Sequence, residues 1–283
     1  LRFVAHHSVC DGWSLGIIMA DVSRIYSALI RGEQPDLPEA IPYSRYALDI
    51  EEYQTSEDYQ RVKDYWLKLY EGVVPRTDLP TDRPRPTTKT YAAARLDLPL
   101  SAELVTGLKQ LGIRFGSSLV TTLLTTFELL IARKTGQSDL VIGLPAAGQS
   151  DMGMKELVGH CVSLLPLRTK LDHDESFSEH LKTRSTAVLD AYDHQRFTLG
   201  TLLQDLDVPR EPGRIPLAPV VFNIDMNMDD GVAFDGLQHV YSSDPRFFEH
   251  FELALNCAGK DDHLVLEWGY NTDLFDATTI RAW

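Results

Sequence analysis

The sequence has few cysteines: only three occur among its 283 residues. Cys10, Cys161 and Cys257 are widely spaced and odd in number, which does not fit a framework of paired disulfides. Thiols used this sparingly are typical of a reducing compartment, so we predict a cytoplasmic protein. We expect Cys10 to pack as a small apolar side chain rather than to act as a nucleophile.

Basic residues are scarce relative to acidic ones. There are 27 Lys and Arg against 41 Asp and Glu, and the formal net charge is −14. This charge repels a phosphate backbone, so nucleic acid is not expected as a partner. No apolar run reaches the roughly 18 residues that a membrane span needs, and no signal peptide is recognisable, so no membrane partner is expected either. The hydrophobic content of 43% allows one large or two moderate cores.

The most informative segment is His6–Gly12, which follows the apolar run Leu1–Ala5. The run predicts a strand, and the segment places an imidazole, a carboxylate and a glycine at its end, the components of a proton-transfer site. Neighbouring side chains on a strand point to opposite faces, so only one of the two adjacent histidines can enter a given pocket. We expect Asp11 to fold back toward an imidazole or a buried arginine, and Gly12 to permit close approach of backbone or ligand.

A helix is predicted directly after this segment. Ser14 has the residue type of an N-cap, apolar residues recur at helical spacing, and Gly32 ends the pattern. Because the histidines come so early in a chain without an initial Met, we expect the chain to be a fragment without its upstream half. Spacing alone leaves two other interpretations open: an ordinary histidine pair, or a zinc site with His and Asp ligands that lacks a further Cys or His cluster.

The chain divides into two predicted blocks. Residues 1–74 are mostly helical, with helices predicted over Ser44–Tyr53 and Ser56–Tyr70. Prolines predict a linker over residues 75–90, and residues 91–283 alternate strands with helices, which indicates α/β layers. In this second block the predicted strands are Tyr91–Leu98, Leu140–Leu144, Val162–Leu167, Val220–Ile224, Leu237–Tyr241, Phe251–Cys257 and Leu264–Tyr270, and the predicted helices are Ser101–Leu111, Ser117–Lys134, Phe177–Tyr192 and one opening at Thr272–Ala277.

Six motifs occur in an order that is typical of one enzyme family. The segment His6–Ser14 resembles HHxxxDGWS, and Val158–Arg168 resembles IGxFVNTxxLR. The other four are Tyr43–Ala47 (similar to YxDYA), Leu79–Pro86 (LPTDRPRP), His194–Gln195 with Phe197 (HQxxxFE) and Pro209–Leu217 (RDxSRNPL). Over nearly its whole length the chain resembles the condensation domains of nonribosomal peptide synthetases. The segments His194–Gly200 and Phe222–Asp225 resemble the hybrid type found beside polyketide synthase modules.

The chain departs from the family pattern at three positions. Arg45 replaces the usual aspartate of the YxDYA element, and Asp49 replaces an aromatic residue after it. Ser163 stands where the family has asparagine, so a hydrogen bond that an amide would supply is missing there.

The resemblance implies a fold and a reaction. The fold is the two-lobed chloramphenicol-acetyltransferase-like architecture, an α/β arrangement of layered helices and sheets, with the N-terminal lobe truncated. The reaction is amide bond formation between a donor acyl or peptidyl thioester and an acceptor aminoacyl thioester. Both substrates are carried on the phosphopantetheine arms of carrier-protein domains, and adjoining adenylation or ketosynthase domains are further expected partners. No directly bound cofactor and no metal are expected.

The resemblance also assigns roles to residues of the first motif. His7 is expected to be catalytic, as a general base or as the group that orients the acceptor amine. Asp11 is expected to hold the corner through a salt bridge with Arg168, Gly12 to keep the substrate channel open, and His6 to pack. Residues expected to line the channel or the lobe interface are Trp13, Ser163 and His194.

Two other functions stay open. A standalone acyltransferase with a CoA or other thioester donor would share an HxxxDG signature, and a domain of this fold could instead dock carrier proteins without chemistry. The intact His7 and Asp11 favour catalysis. We do not expect His160 and Cys161 to form a nucleophilic pair, because neighbours on a strand diverge. As a fragment, the isolated chain is expected to be inactive.

Overall fold

The computed structural model describes residues 1–172, 174–209, 211–260 and 262–283. Arg210, which belongs to the Pro209–Leu217 motif, lies outside the described residues. The chain forms two compact units. The first unit comprises residues 1–60, 146–163 and 227–244, and the second comprises residues 61–145, 164–226 and 245–283. The predicted lobe boundaries at 74 and 91 remain a prediction.

Three helices precede the first strand, and helices and strands are interspersed after it. The helices are α1 (Gly12–Arg31), α2 (Tyr43–Tyr53), α3 (Glu57–Leu69), α4 (Ala102–Arg114), α5 (Leu119–Thr135), α6 (Gly148–Asp151), α7 (Phe177–Asp193), α8 (Leu199–Asp205) and α9 (Ala277–Ala282). The strands are β1 (Ala93–Pro99), β2 (Asp139–Ala147), β3 (Val162–Lys170), β4 (Val220–Met226), β5 (Leu253–Lys260) and β6 (His263–Asn271). The short helices α6 and α8 were not predicted, and α9 begins at Ala277, the last residue of the segment predicted to open it.

Serine side chains cap the predicted helices of the second unit. Ser101, Ser118 and Ser176 each accept a hydrogen bond from a backbone N–H in the first turn of α4, α5 and α7. These bonds satisfy donors that have no partner within the helix. For α1 the predicted cap was wrong by three residues: Asp11 is the N-cap, and its carboxylate accepts from the Ser14 N–H. Gly32 ends α1 in the left-handed conformation, as predicted.

The strands form one six-stranded sheet in the order β1-β6-β5-β4-β2-β3. β4 is parallel to β2 and β5, whereas β6 is antiparallel to β5 and β1. This mixed sheet with its helices confirms the predicted α/β layers. The predicted strands Leu1–Ala5 and Leu237–Tyr241 were wrong, because neither segment pairs with a neighbouring strand in the described parts of the chain.

The core of the second unit contains apolar side chains of α3 and of the residue that follows it. Val62, Trp66 and Tyr70 are each 1% exposed. The Tyr70 hydroxyl donates to the backbone carbonyl of Pro166 at 2.7 Å, so its polar end is paired although it is buried. Burial of each large apolar side chain stabilises the fold by about 1.5–3 kcal/mol.

α1 is the longest apolar helix in the described residues. By length and composition alone it could cross a membrane, contrary to the expectation from the sequence. α4 and α5 would also qualify if they formed one span, but they are bent by 100°. This is weak evidence for a membrane segment, since core helices of soluble proteins meet the same criteria.

Candidate active site

Asp11 is the centre of a hydrogen-bond network in the first unit. Its side chain is buried, and Oδ1 accepts from the Ser14 N–H at 2.9 Å while Oδ2 accepts from the Cys161 N–H at 2.9 Å. The Gln149 Nε2 group donates to both carboxylate oxygens, at 3.1 and 2.9 Å. Burial alone would raise the pKa of Asp11, but the bonds from Cys161, Ser14 and Gln149 outweigh it and lower that pKa. The carboxylate is therefore ionised at neutral pH.

The predicted salt bridge between Asp11 and Arg168 was wrong. Arg168 belongs to the second unit, where its guanidinium binds Asp139 through Nε at 3.0 Å and Nη2 at 2.7 Å. Its remaining donors bond the backbone carbonyls of Leu69 and Val73, both at 3.0 Å. Asp11 needs no cation, because neutral donors already satisfy both of its oxygens.

The segment Gly159–Cys161 is attached to the motif through its backbone. The Ser14 Oγ accepts from the Gly159 N–H at 2.9 Å and lies 2.8 Å from the Gly159 carbonyl oxygen. The Tyr43 hydroxyl donates to the His160 carbonyl at 2.9 Å. A Cβ at position 159 would lie 2.3 Å from the Tyr43 ring, so any other residue there would displace that ring. The predicted IGxFVNTxxLR-like motif thus meets the HHxxxDGWS-like motif in this unit.

His7 is exposed and in contact with a second histidine. Its Nδ1 lies 3.2 Å from the Nδ1 of His160, and the two rings are 5.1 Å apart at 82°. His6 is also exposed, and its Nδ1 bonds the hydroxyl of Ser8 at 2.8 Å instead. The two adjacent histidines therefore have different partners.

The other predicted site residues are distributed over both units. Trp13 is 37% exposed and donates from Nε1 to the Lys155 carbonyl at 2.9 Å, and Gly12 is the first residue of α1. Ser163 lies in β3 at the end of the first unit. His194 belongs to the second unit, where its ring stacks on Tyr65 at a centroid distance of 3.9 Å.

The two cysteines near the motif have raised thiol pKa values. Burial and the neighbouring Asp11 charge raise the pKa of Cys161 to about 12. The same two causes raise the pKa of Cys10. Both thiols stay protonated at neutral pH, which agrees with the sequence prediction that His160 and Cys161 are not a nucleophilic pair.

A cavity of about 910 Å³ lies within the second unit, and none of the predicted site residues lines it. Its walls are mainly apolar side chains, among them Leu123, Phe127, Phe222 and Trp268. No group of three or more His, Cys, Asp or Glu side chains that could hold a metal occurs in the described ranges, although His173 of the segment Asp172–Glu175 lies outside them.

Sequence reasoning missed two residues of this site. Gln149 precedes the Val158–Arg168 motif and belongs to no motif itself, yet its buried side chain, on α6, donates to Asp11. His160 occupies the variable position of the IGxFVNTxxLR-like motif, so the resemblance assigned it no role. The sequence shows His160 between Gly159 and Cys161, but the contact with His7 exists only in the folded chain.

A family model described as "Condensation domain" matches residues 1–283. The chain is 30% identical over 281 residues to surfactin synthase subunit 1 of Bacillus subtilis (strain 168), covering 99% of this chain and 8% of that protein. It is 31% identical over 282 residues to malpinin synthetase of Mortierella alpina, covering 99% of this chain and 4% of that protein. It is also 29% identical over 284 residues to tyrocidine synthase 2 of Brevibacillus parabrevis, covering 99% of this chain and 8% of that protein. The chain therefore spans less than a tenth of the length of these relatives.

Solved structures share the fold. A four-domain nonribosomal peptide synthetase, holo-AB3403 bound to AMP and glycine, superposes with a TM-score of 0.84 at 21% identity, covering 99% of this chain and 22% of that one. The first condensation domain of the calcium-dependent antibiotic synthetase, in complex with a substrate analogue, superposes with a TM-score of 0.74 at 20% identity, covering 98% of this chain and 63% of that one.

Proposed function

This chain belongs to the condensation-domain family, and from that premise we propose that it forms amide bonds in the synthesis of a nonribosomal peptide. The donor is an acyl or peptidyl thioester and the acceptor an aminoacyl thioester, each carried on the phosphopantetheine arm of a carrier-protein domain. The observation that carries this proposal is the match of the family model across residues 1–283. A hybrid polyketide and peptide synthetase is the finer possibility that the motifs favour.

The chemistry requires a proton acceptor beside the amine. The neutral α-amine of the acceptor attacks the donor thioester carbonyl, a tetrahedral intermediate forms, and the carrier thiolate leaves. The amine loses one proton as the C–N bond forms. An exposed imidazole such as that of His7 can take this proton or hold the amine in position.

Asp11 is proposed to support the site without touching substrate. Its oxygens are bonded by Ser14, Gln149 and Cys161, so they are not free to accept a substrate proton. His6 is proposed to be packing support, Gly12 to leave space at the start of α1, and Trp13, Ser163 and His194 to contact the channel or an interface. No direct cofactor is proposed, since the phosphopantetheine arms belong to the carrier domains.

The partners follow from the substrates. Two carrier-protein domains deliver donor and acceptor, and adenylation or ketosynthase domains adjoin them in the same synthetase. Such an assembly is proposed to work in the cytoplasm, where acyl and aminoacyl thioesters are made.

The test is transfer between two loaded carrier domains by the full-length protein that contains this chain. We expect His7→Ala to lower the transfer rate by about 10²- to 10⁴-fold, the usual contribution of a positioned acid–base group. His263→Ala, at the exposed first residue of β6, is the matched control and should leave the rate unchanged. Equal rates for His7→Ala and wild type would remove His7 from the mechanism. Transfer from a CoA thioester to a soluble amine, without carrier domains, would instead support the standalone acyltransferase.

A further inference from the structure

His160 touches the proposed catalytic histidine, and no motif assigns it a role. The two Nδ1 atoms are 3.2 Å apart, which is hydrogen-bond distance. A bond between two neutral imidazoles needs a proton on one nitrogen and a lone pair on the other. The contact therefore allows two arrangements: His7 donates to His160, or His160 donates to His7.

The position of His160 is set by the backbone around it. The Tyr43 hydroxyl donates to the His160 carbonyl at 2.9 Å. The Ser14 Oγ accepts from the N–H of the preceding Gly159 and lies 2.8 Å from the Gly159 carbonyl oxygen. The following Cys161 donates its N–H to Asp11 and accepts from the Gly148 N–H at 3.2 Å. The network that holds Asp11 thus also fixes the residue that faces His7.

Other polar groups near the His7–His160 pair are hydrogen-bonded to other partners. The Asp11 carboxylate is bonded by Cys161, Ser14 and Gln149, and the Tyr43 hydroxyl faces the His160 backbone. The raised pKa of Cys161 keeps its thiol neutral. In the described parts of the chain, His160 is the side chain that hydrogen-bonds His7.

The reaction selects one of the two arrangements. If His160 donated to His7, the single N–H proton of neutral His7 would be on Nε2, and the lone pair of its Nδ1 would accept from His160. Neither nitrogen of His7 could then take a proton from the amine. If His7 donates from Nδ1, its Nε2 keeps a lone pair, and the His160 acceptor stabilises the imidazolium that forms. This is the general arrangement in which a third group orients a catalytic base.

We propose that His160 is a positioning residue that accepts the Nδ1 proton of His7 and so leaves Nε2 of His7 free to receive the proton of the acceptor amine. This inference rests on the proposed function of His7. It adds a residue to which the family motif assigns no role, because the position is variable in that motif.

Steady-state kinetics of the full-length protein tests the proposal with loaded carrier domains. His160→Phe keeps an aromatic ring without an acceptor, and we expect kcat to fall about 10- to 100-fold with an unchanged KM for the acceptor. His160→Gln supplies a carbonyl acceptor and should recover part of the loss. His263→Phe, an exposed histidine of the second unit, is the matched control and should match wild type. An unchanged kcat in His160→Phe overturns the proposal.

The tautomer of His7 gives a second readout that a structural role would not move. In ¹⁵N NMR of the histidine-labelled full-length protein, we expect the proton of His7 on Nδ1 in wild type and a shift toward Nε2 in His160→Phe. A wild-type His7 protonated on Nε2 overturns the proposal. If wild type transfers, His7→Ala does not, and His160→Phe does so at full rate, the inference fails while the proposed function stands. If wild type itself shows no transfer, the proposed function fails, and the NMR result still decides the tautomer.

Discussion

Asp11 accepts hydrogen bonds from a serine, a glutamine and a backbone amide, and it also caps α1. A carboxylate with these partners stabilises the turn between His7 and α1. Loss of activity after substitution of Asp11 would thus reflect loss of structure, because buried donors would lose their acceptor. Activity and stability must be measured together at this residue.

Asp11→Asn should destabilise the protein and change its response to acid. The amide cannot accept from all the donors around it, so we expect the free energy of unfolding to fall by about 1–3 kcal/mol at pH 7. The folded-state pKa of Asp11 is lowered, so its stabilisation is present above the ordinary carboxyl pKa and is lost as pH falls through the lower folded value. Urea titrations from pH 7 to pH 2 should show a shallower acid decline in the variant. An identical decline in both proteins would contradict this assignment.

The elements of the second unit are joined by a buried charge pair. Glu128 of α5 and Arg184 of α7 are 0% and 4% exposed, and Arg184 Nη2 donates to Glu128 Oε1 at 2.7 Å. Thr169 of β3 donates to the same oxygen at 2.8 Å. Two helices and a strand therefore share one hydrogen-bonded carboxylate, and the desolvation of both charges is offset only while both are present.

Arg184→Met should lower the free energy of unfolding by about 3–5 kcal/mol, because it leaves the Glu128 carboxylate buried without its cation. The double variant Glu128→Leu with Arg184→Met removes both charges and should regain most of that loss. Arg24→Met is the control, since its pair with Asp21 is exposed on α1 and should be worth about 0–1 kcal/mol. Urea unfolding of the three variants checks the order. A double variant that is less stable than Arg184→Met would contradict it.

The positions of helices were predicted from the sequence more accurately than the contacts of individual side chains. Caps and periodicity located α2, α3, α4, α5 and α7 to within a few residues, because those signals are local. The prediction of a strand over Leu237–Tyr241 was wrong, since a strand also needs a neighbouring strand, which the local pattern does not reveal. The prediction of a partner for Asp11 was wrong for a related reason: Gln149 and Cys161 reach this carboxylate only after folding brings distant segments together.

The free energy of local opening should differ between the segments of the molecule. β5 has hydrogen-bonded neighbours on both sides, whereas Leu1–Ala5 is exposed and lies outside every helix and strand of the described residues. In amide hydrogen exchange we expect the amides of β5 to exchange slowest and those of Leu1–Ala5 fastest. β1, which among the described strands is paired with β6 alone and lies at the edge of the sheet, should be intermediate. Exchange in β5 as fast as in Leu1–Ala5 would contradict the observed sheet.

The place of β1 in the sheet has a consequence for biosynthesis. Its neighbour β6 follows roughly 160 residues later in the chain. At about 5–20 residues per second, a ribosome needs about 8–32 s to make that stretch, and β1 keeps an unpaired backbone edge throughout this interval. Nascent chains crowded on one messenger RNA could pair through such edges, so the yield of native protein should depend on translation speed and on chaperones that cover β1 until β6 emerges.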